Sequence, residues 1–351
     1  MKVAICGDIH ISKTSSILKS RGDKYSTRIE NCIKSINWFE QIAKEYNCEL
    51  EVYLGDTFDK PNLDDEILTA IKDIKWNELT KYFIVGNHES SVNGLEYNSV
   101  KSLESADIWK SNSRYVIAKP DTLTLDLERT QLHFIPYVIE TDRQPIKEYL
   151  YNYDNTCDRH IIFSHNDIKG IQMGPVVSKV GFDIKEIEDN CDMFINGHLH
   201  NGEKVTDKII NLGILTGQNF GENANMYKHE IMILDTDTLN YELIENPYAF
   251  NFYNIEINNT LEITKLGGLK SNAIVSIKCN IELLDAVKET LQELHNIIQY
   301  RITTFRVNKD INEVEKVEDF SVDYLEKFKE FCLLSIGNNE IVNQELCEVI
   351  K

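Results

Sequence analysis

Apolar positions along the chain follow two patterns. Five short runs, KVAIC (2–6), LEVYL (50–54), KYFIV (81–85), HIIFS (160–164) and DMFIN (192–196), lack strict alternation, as strands covered on both faces do. After the first run, Ile29, Cys32, Ile33, Ile36, Phe39, Ile42 and Ala43 recur at helical spacing. Thr27, with Glu30 three residues on, supplies a capping box at the start of that helix. Strand then helix, repeated, predicts an α/β sheet with helices on its faces. A second set, LHFIPY (132–137), IINLGIL (209–215), EIMILD (230–235) and YELIE (241–245), alternates better and is joined by turn residues. It predicts mainly antiparallel strands. The fold expected over 1–248 is therefore α/β, a two-sheet β-sandwich flanked by helices.

The pattern changes around Pro247. FYNIEI (252–257), AIVSIKC (273–279), a helix near 281–297 and YRITTFRV (300–307) predict a small α+β domain over 249–308. Residues 309–351 read as a helical C-terminal segment, with an apolar stripe of Phe320, Tyr324, Leu325, Phe328 and Phe331 and a second short helix after Gly337. No internal repeat or low-complexity tract interrupts these segments.

Composition narrows the class. At 351 residues and 42% hydrophobic, the chain supports one large domain and a smaller one. No apolar run is long enough to span a bilayer, and the start MKVAICGDIH reads as a strand rather than a signal sequence. A soluble, intracellular (cytoplasmic) protein with no membrane partner is expected. Eight scattered cysteines without a CxxC pair predict reduced thiols and argue against a zinc–cysteine cluster. The net charge of −20 disfavours broad non-specific contact with nucleic acid. A local exception is the loop 11–26, where Lys13, Lys19, Arg21 and Lys24 face a single acid, Asp23. These four are candidate contacts to a nucleic-acid phosphate backbone.

The chemistry lies at the ends of the five buried runs. They are followed in turn by Gly7-Asp8-Ile9-His10, Gly55-Asp56, Gly86-Asn87-His88, His165 and Gly197-His198-Leu199-His200. In an α/β sheet the carboxyl ends of the strands share one edge, where ligands bind, so these side chains should converge. The glycines allow a sharp turn and close backbone approach. Two aspartates, an asparagine and several histidines exceed what one tetrahedral zinc takes. They suit two divalent ions about 3.5–4 Å apart that share a bridging group. Imidazole, carboxylate and amide donors fit manganese, iron or zinc better than calcium. Asp56, alone on its strand end, is the natural bridge. Asp59 is a candidate for orienting a ligand histidine or for a turn or cap. His133, His160, His229 and His295 read as structural or exposed, the last on a helix.

The blocks GDIH, GDTFD, GNHE, SHND and GHLH, in this order, resemble the calcineurin-like metallophosphoesterase family over residues 1–235. The resemblance implies one ion held by Asp8, His10, Asp56 and His200, and another by Asp56, Asn87, His165 and His198. It implies that His88 is not a ligand but a catalytic group, stabilising the phosphoryl transition state or protonating the leaving oxygen. Paired cations acidify a shared water toward neutrality, so hydrolysis of a phosphodiester is expected. FIPY (134–137) and TGQNFGE (216–222) are similar to SbcD-type nuclease subunits within this family. That branch implies a DNA exonuclease and endonuclease of recombination and repair. Two Mn ions are the expected cofactors, with Mg, Fe or Zn as alternatives. The branch further implies a DNA-facing cap, a homodimer, and a C-terminal segment that binds an SMC-like coiled-coil ATPase. A phosphatase or nucleotide phosphodiesterase on the same fold, and a non-catalytic scaffold, are the competing readings.

Overall fold

The computed structural model describes residues 1–13, 16, 22–91, 94–100, 113–125, 127, 129–150, 157–173, 176–306 and 316–317. The chain divides into two compact units, Met1–Phe252 and Tyr253–Lys351.

The first unit carries, in chain order, β1 (Lys2–Cys6), β2 (Leu50–Tyr53), β3 (Thr80–Ile84), β4 (Ser113–Val116), β5 (Asp121–Leu125) and β6 (Thr130–Ile135). These are followed by β7 (Arg159–Ser164), β8 (Met193–Asn196), β9 (Glu203–Lys204), β10 (Ile209–Asn211), β11 (Glu230–Asp235) and β12 (Tyr241–Glu245). They form two six-stranded sheets, of order β12-β11-β1-β2-β3-β4 and β9-β10-β8-β7-β6-β5. The sandwich follows from alternation of side chains along each strand. Val3, Ile5, Val52, Tyr82 and Ile84 of one sheet meet Leu132, Phe134, Ile161, Phe163 and Ile195 of the other. Tyr82 stacks on Phe134 with ring centroids 3.9 Å apart. The alternate residues Ala4, Cys6, Tyr53 and Phe83 face outward, onto Ile29, Cys32, Ile36, Phe39 and Ala43 of α1 (Thr27–Glu45). On the other sheet Ile135, Ile162, Phe194 and Ile209 pack with Ile187 of α2 (Ile184–Asn190).

Two expectations change, and a third holds with two parallel exceptions. The five strands that end in chemistry are not one sheet: β1, β2 and β3 are parallel neighbours in the first, β7 and β8 in the second. The second set of strands is mainly antiparallel in its pairings: β11 with β1 and β12, β6 with β5, and β10 with β9. On their other edges β6 runs parallel to β7 and β10 parallel to β8. The cap of α1 is Ser26, not Thr27, with its side chain accepting from Ile29 N. Glu30 reaches further back, accepting from the Lys24 and Tyr25 amides at 2.7 and 3.1 Å.

A buried ion cluster lies under α1. Lys81 Nζ sits 2.5 Å from Glu51, 3.0 Å from Glu40 and 2.7 Å from Asn77 Oδ1. Burial and the neighbouring Glu40 push the Glu51 carboxyl up to about 8, against the opposing pull of Lys81.

The second unit is built on a four-stranded sheet, β13 (Asn251–Ile257), β14 (Ala273–Asn280), β15 (Ile297–Phe305) and β16 (Lys316–Val317). Strands β14 and β15 are parallel and joined through α3 (Leu284–Glu293), which buries Val287 and Leu291. The helix expected near 281–297 is thus shorter, and His295 lies beyond its end rather than on it. The apolar stripe at 320–334 and all of 309–351 except 316–317 lie outside the described residues. Cys6, Cys32, Cys48, Cys157, Cys191 and Cys279 are buried thiols in no disulfide, while Cys332 and Cys347 lie outside the described residues. Among the described residues no helix is long and apolar enough to cross a membrane.

Candidate metal centre

The loops that leave β1, β2, β3, β7 and β8 meet at one rim of the sandwich. Asp56 is their hub. Its Oδ2 lies 3.2 Å from His165 Nε2 and 3.7 Å from His10 Nε2, while its Oδ1 accepts the His88 backbone N–H at 2.9 Å. On one side His10 Nε2 faces His200 Nε2 at 3.0 Å. On the other, Asn87 Oδ1 lies 3.1 Å from His165 Nε2 and 2.9 Å from His198 Nδ1. Asp8 Oδ1 accepts the His198 amide at 3.1 Å. All seven sequence-derived ligand candidates, Asp8, His10, Asp56, Asn87, His165, His198 and His200, are brought together. His88 lies at the edge, 46% exposed, its ring edge-on to His10 at 4.7 Å.

Backbone geometry serves this convergence. His10, Asp56 and His198 hold φ of 50°, 47° and 71°, a left-handed conformation unfavourable for residues with a Cβ and typical of functional sites. Gly55 has φ 105°, and a Cβ there would collide with the His165 ring. A Cβ on Gly86 would collide with the Asp56 carboxylate.

Each histidine turns its outer nitrogen to an acceptor. His10 Nδ1 faces Asp59 Oδ1 at 3.2 Å, His165 Nδ1 the Leu54 carbonyl at 2.7 Å, His198 Nε2 Asp167 Oδ1 at 3.1 Å and His200 Nδ1 Glu222 Oε1 at 2.8 Å. With neutral rings, the partners of His165, His198 and His200 favour the outer proton, so their inner nitrogens present lone pairs. The contacts Asn87–His165 and Asn87–His198 are then lone pair against lone pair, while His10 Nδ1 completes no hydrogen bond. Asp8 Oδ2 is buried without a hydrogen-bond partner. Only cations, or protons held in their place, reconcile such an arrangement. The residues present fit a pair of divalent ions: His10, Asp56 and His88 form one group of close donors and Asp56, His165 and His198 another, with Asp56 common to both. The first group includes His88, which the resemblance treats as a non-ligand.

The electrostatics agree. Burial would raise Asp56, but His165 beside it holds the carboxyl below its ordinary range. Burial would lower His165, but Asp56 and Asp8 push it up to about 9. Burial lowers His10, with Asp59 opposing, whereas Glu222 overcomes burial and raises His200.

Several functional positions escaped the sequence reading. Asp59 approaches His10 Nδ1 to 3.2 Å, while Asp167 and Glu222 meet the outer nitrogens of His198 and His200 without having been singled out. Asp167 stands two residues after His165, and Glu222 closes TGQNFGE, but neither spacing reveals its target. Glu89 is fully buried, and accepts from the Phe58 and Gly86 amides at 3.1 and 2.9 Å, tying two ligand loops together. Of the candidate nucleic-acid contacts, Lys13 pairs with Asp64 and Glu66, and Lys24 with Asp73. Lys19 and Arg21 lie outside the described residues.

A mixed α/β sandwich with a rim of this donor set defines a metal-dependent hydrolase of phosphate esters. The model of the calcineurin-like phosphoesterase family matches residues 1–202, more than half of the 351 residues, and the chain belongs to that family. The family uses a dimetal centre. Among solved structures, the chain is similar to an archaeal phosphodiesterase at 13% identity, over 70% of this chain and 99% of that one, with a TM-score of 0.34. It is similar to the protein TT1561 of Thermus thermophilus at 9% identity, over 70% and 98%, with a TM-score of 0.42. A dimetal phosphatase from Danio rerio is similar at 12% identity, over 70% and 99%, with a TM-score of 0.38. No curated protein matches the sequence.

Proposed function

We propose that the protein is a DNA nuclease subunit, an exonuclease on duplex ends and an endonuclease on single strands. In this reading it acts in DNA recombination and repair beside an SMC-like coiled-coil ATPase that binds the segment 309–351. The observation that carries this reading is the position of the TGQNFGE block. This block resembles the nuclease branch in sequence, and its Glu222 lies 2.8 Å from His200 Nδ1. FIPY, the other such block, ends in Tyr137, whose ring lies 5.9 Å from that of His198. The scaffold reading is disfavoured because the donor set is complete.

Asp8, His10, Asp56 and His200 would hold one ion, and Asp56, Asn87, His165 and His198 the other, with manganese the expected metal. Such a pair supplies an acidified water and neutralises phosphate charge. The residues do the rest. Asp56, common to both donor groups, would serve both ions. Asn87 donates a neutral oxygen, which limits the negative charge that a phosphodiester meets. His88 Nδ1 lies 3.3 Å from the Asp59 carbonyl. With Nδ1–H hydrogen-bonded to that carbonyl, the proton that the doubly protonated ring can deliver to a departing oxygen is the one on Nε2, leaving His88 neutral. Lys13 and Lys24 would exchange their carboxylate partners for DNA phosphates.

The test supplies manganese and compares labelled duplex DNA, single-stranded circles and p-nitrophenyl phosphate esters. DNA cleavage that stops on chelation supports the reading. Hydrolysis of the small monoester alone would establish a phosphatase instead.

A further inference from the structure

Arg28 stands in the first turn of α1 and is 1% exposed. Nη1 donates to the Gly217 carbonyl at 3.0 Å, and Nη2 to the carbonyls of Ile9 at 2.6 Å and His10 at 3.3 Å. Among the described residues no carboxylate pairs with it, and its Nε has no hydrogen-bond partner. A buried guanidinium left without a counter-ion is an expensive choice where an apolar side chain would pack. Three oriented carbonyls compensate in part, and they are drawn from only two loops.

Those loops carry one histidine of an ion position and the acid that orients the other. The first holds His10 itself, at its left-handed φ of 50°. The second leads from Gly217 into the Gln218 and Asn219 amides, which donate to Glu222 Oε2 at 2.6 and 3.4 Å. The other oxygen of Glu222 accepts from His200 at 2.8 Å. The loops also join directly, Leu215 N to the Asp8 carbonyl at 2.8 Å and Thr216 Oγ1 to the Ile9 carbonyl at 3.2 Å. Arg28 closes this bracket from behind. The supports of the other position, the Leu54 carbonyl for His165 and Asp167 for His198, do not touch it.

We infer that Arg28 is a positioning residue that sets the spacing of His10 and His200, and so selectively governs the affinity of the Asp8/His10/Asp56/His200 position for its ion. The inference rests on the two-ion reading of the centre but not on DNA as substrate.

The full chain is stripped with chelator and titrated with Mn²⁺, by calorimetry and by electron paramagnetic resonance, which separates a coupled ion pair from isolated Mn²⁺. The unaltered protein should take two ions and give a coupled spectrum. R28M should keep one ion at unchanged affinity and weaken the other by about 10–100-fold, leaving an isolated-ion spectrum at low metal. R28K keeps the charge but not the planar fork, and should fall between. Adding H198A to R28M should weaken the ion that remains. Circular dichroism establishes folding, and R28K carries the comparison if R28M does not fold. Unchanged binding of both ions in the variant, or equal weakening of both, would overturn the inference. A single ion in the unaltered protein would instead overturn the two-ion reading beneath it.

Discussion

Metal binding should expel a proton from His165. In the metal-free protein Asp56 Oδ2 lies 3.2 Å from His165 Nε2, and Asp8 Oδ1 3.4 Å from Nδ1. Burial opposes charge on this ring, but the two carboxylates win, and its pKa is pushed up to about 9. Only the neutral imidazole can coordinate. At pH 7 the proton must therefore be removed against about two pH units, or about 2.7 kcal/mol. That lowers apparent metal affinity roughly 100-fold. Affinity should rise about tenfold per pH unit from about pH 7 and level off above the His165 pKa. The same shift has a stability consequence of opposite direction. The folded pKa exceeds the unfolded value, near about 6.5, so the stabilisation is complete below that pH. In the metal-free protein it is lost as pH rises through about 9. Anaerobic calorimetry of Mn²⁺ binding in two buffers of different ionisation enthalpy, between about pH 7 and 8.5, counts the protons released. Affinity that stays flat over this range, with no proton released, would refute the argument that the carboxylates hold His165 charged.

Other consequences are equally open to measurement. Asp56→Ala removes the carboxylate common to both donor groups, and metal analysis should find both ions and the activity lost together. His88→Ala should retain two ions while turnover falls by about 10²–10⁴-fold; a variant isolated without metal would show that His88 is a ligand. Lys81→Met strands Glu40 and Glu51 without their cation, and urea denaturation should show a loss of about 3–5 kcal/mol.

Much of this site was legible because the ligands sit directly after apolar runs. Strand ends are where a period-two or continuous apolar pattern stops, and Asp8, Asp56, Asn87, His165 and His198 follow such stops within a few residues. The supporting acids were not legible in the same way. Asp167 and Glu222 act through space on rings 31 and 22 residues away in the chain, and no local period encodes such a pairing. Arg28 was hidden by its own neighbourhood, since a charged residue between Thr27 and Ile29 reads as the polar face of a helix start. Glu51 was absorbed into an apolar run although Lys81 and Glu40 surround it. Strand direction was legible in part. The second set is mainly antiparallel, but β6 and β10 each carry a parallel neighbour on one edge, and alternation, which reports covered faces, does not encode that edge.

The division of the rim between two sheets has a mechanical meaning. Asp8, His10, Asp56 and Asn87 hang from the first sheet, His165, His198 and His200 from the second. In the proposed assignment each ion position takes donors from both, so a bound cation would act as a rivet through the seam of the sandwich. Any slippage between the layers must tear out both rivets at once. Saturating metal, at about 100 times its dissociation constant, would add roughly 2.7 kcal/mol per ion against such slippage. Loading the centre and locking the two layers are then one event, and a chain stripped of metal should loosen first along that seam.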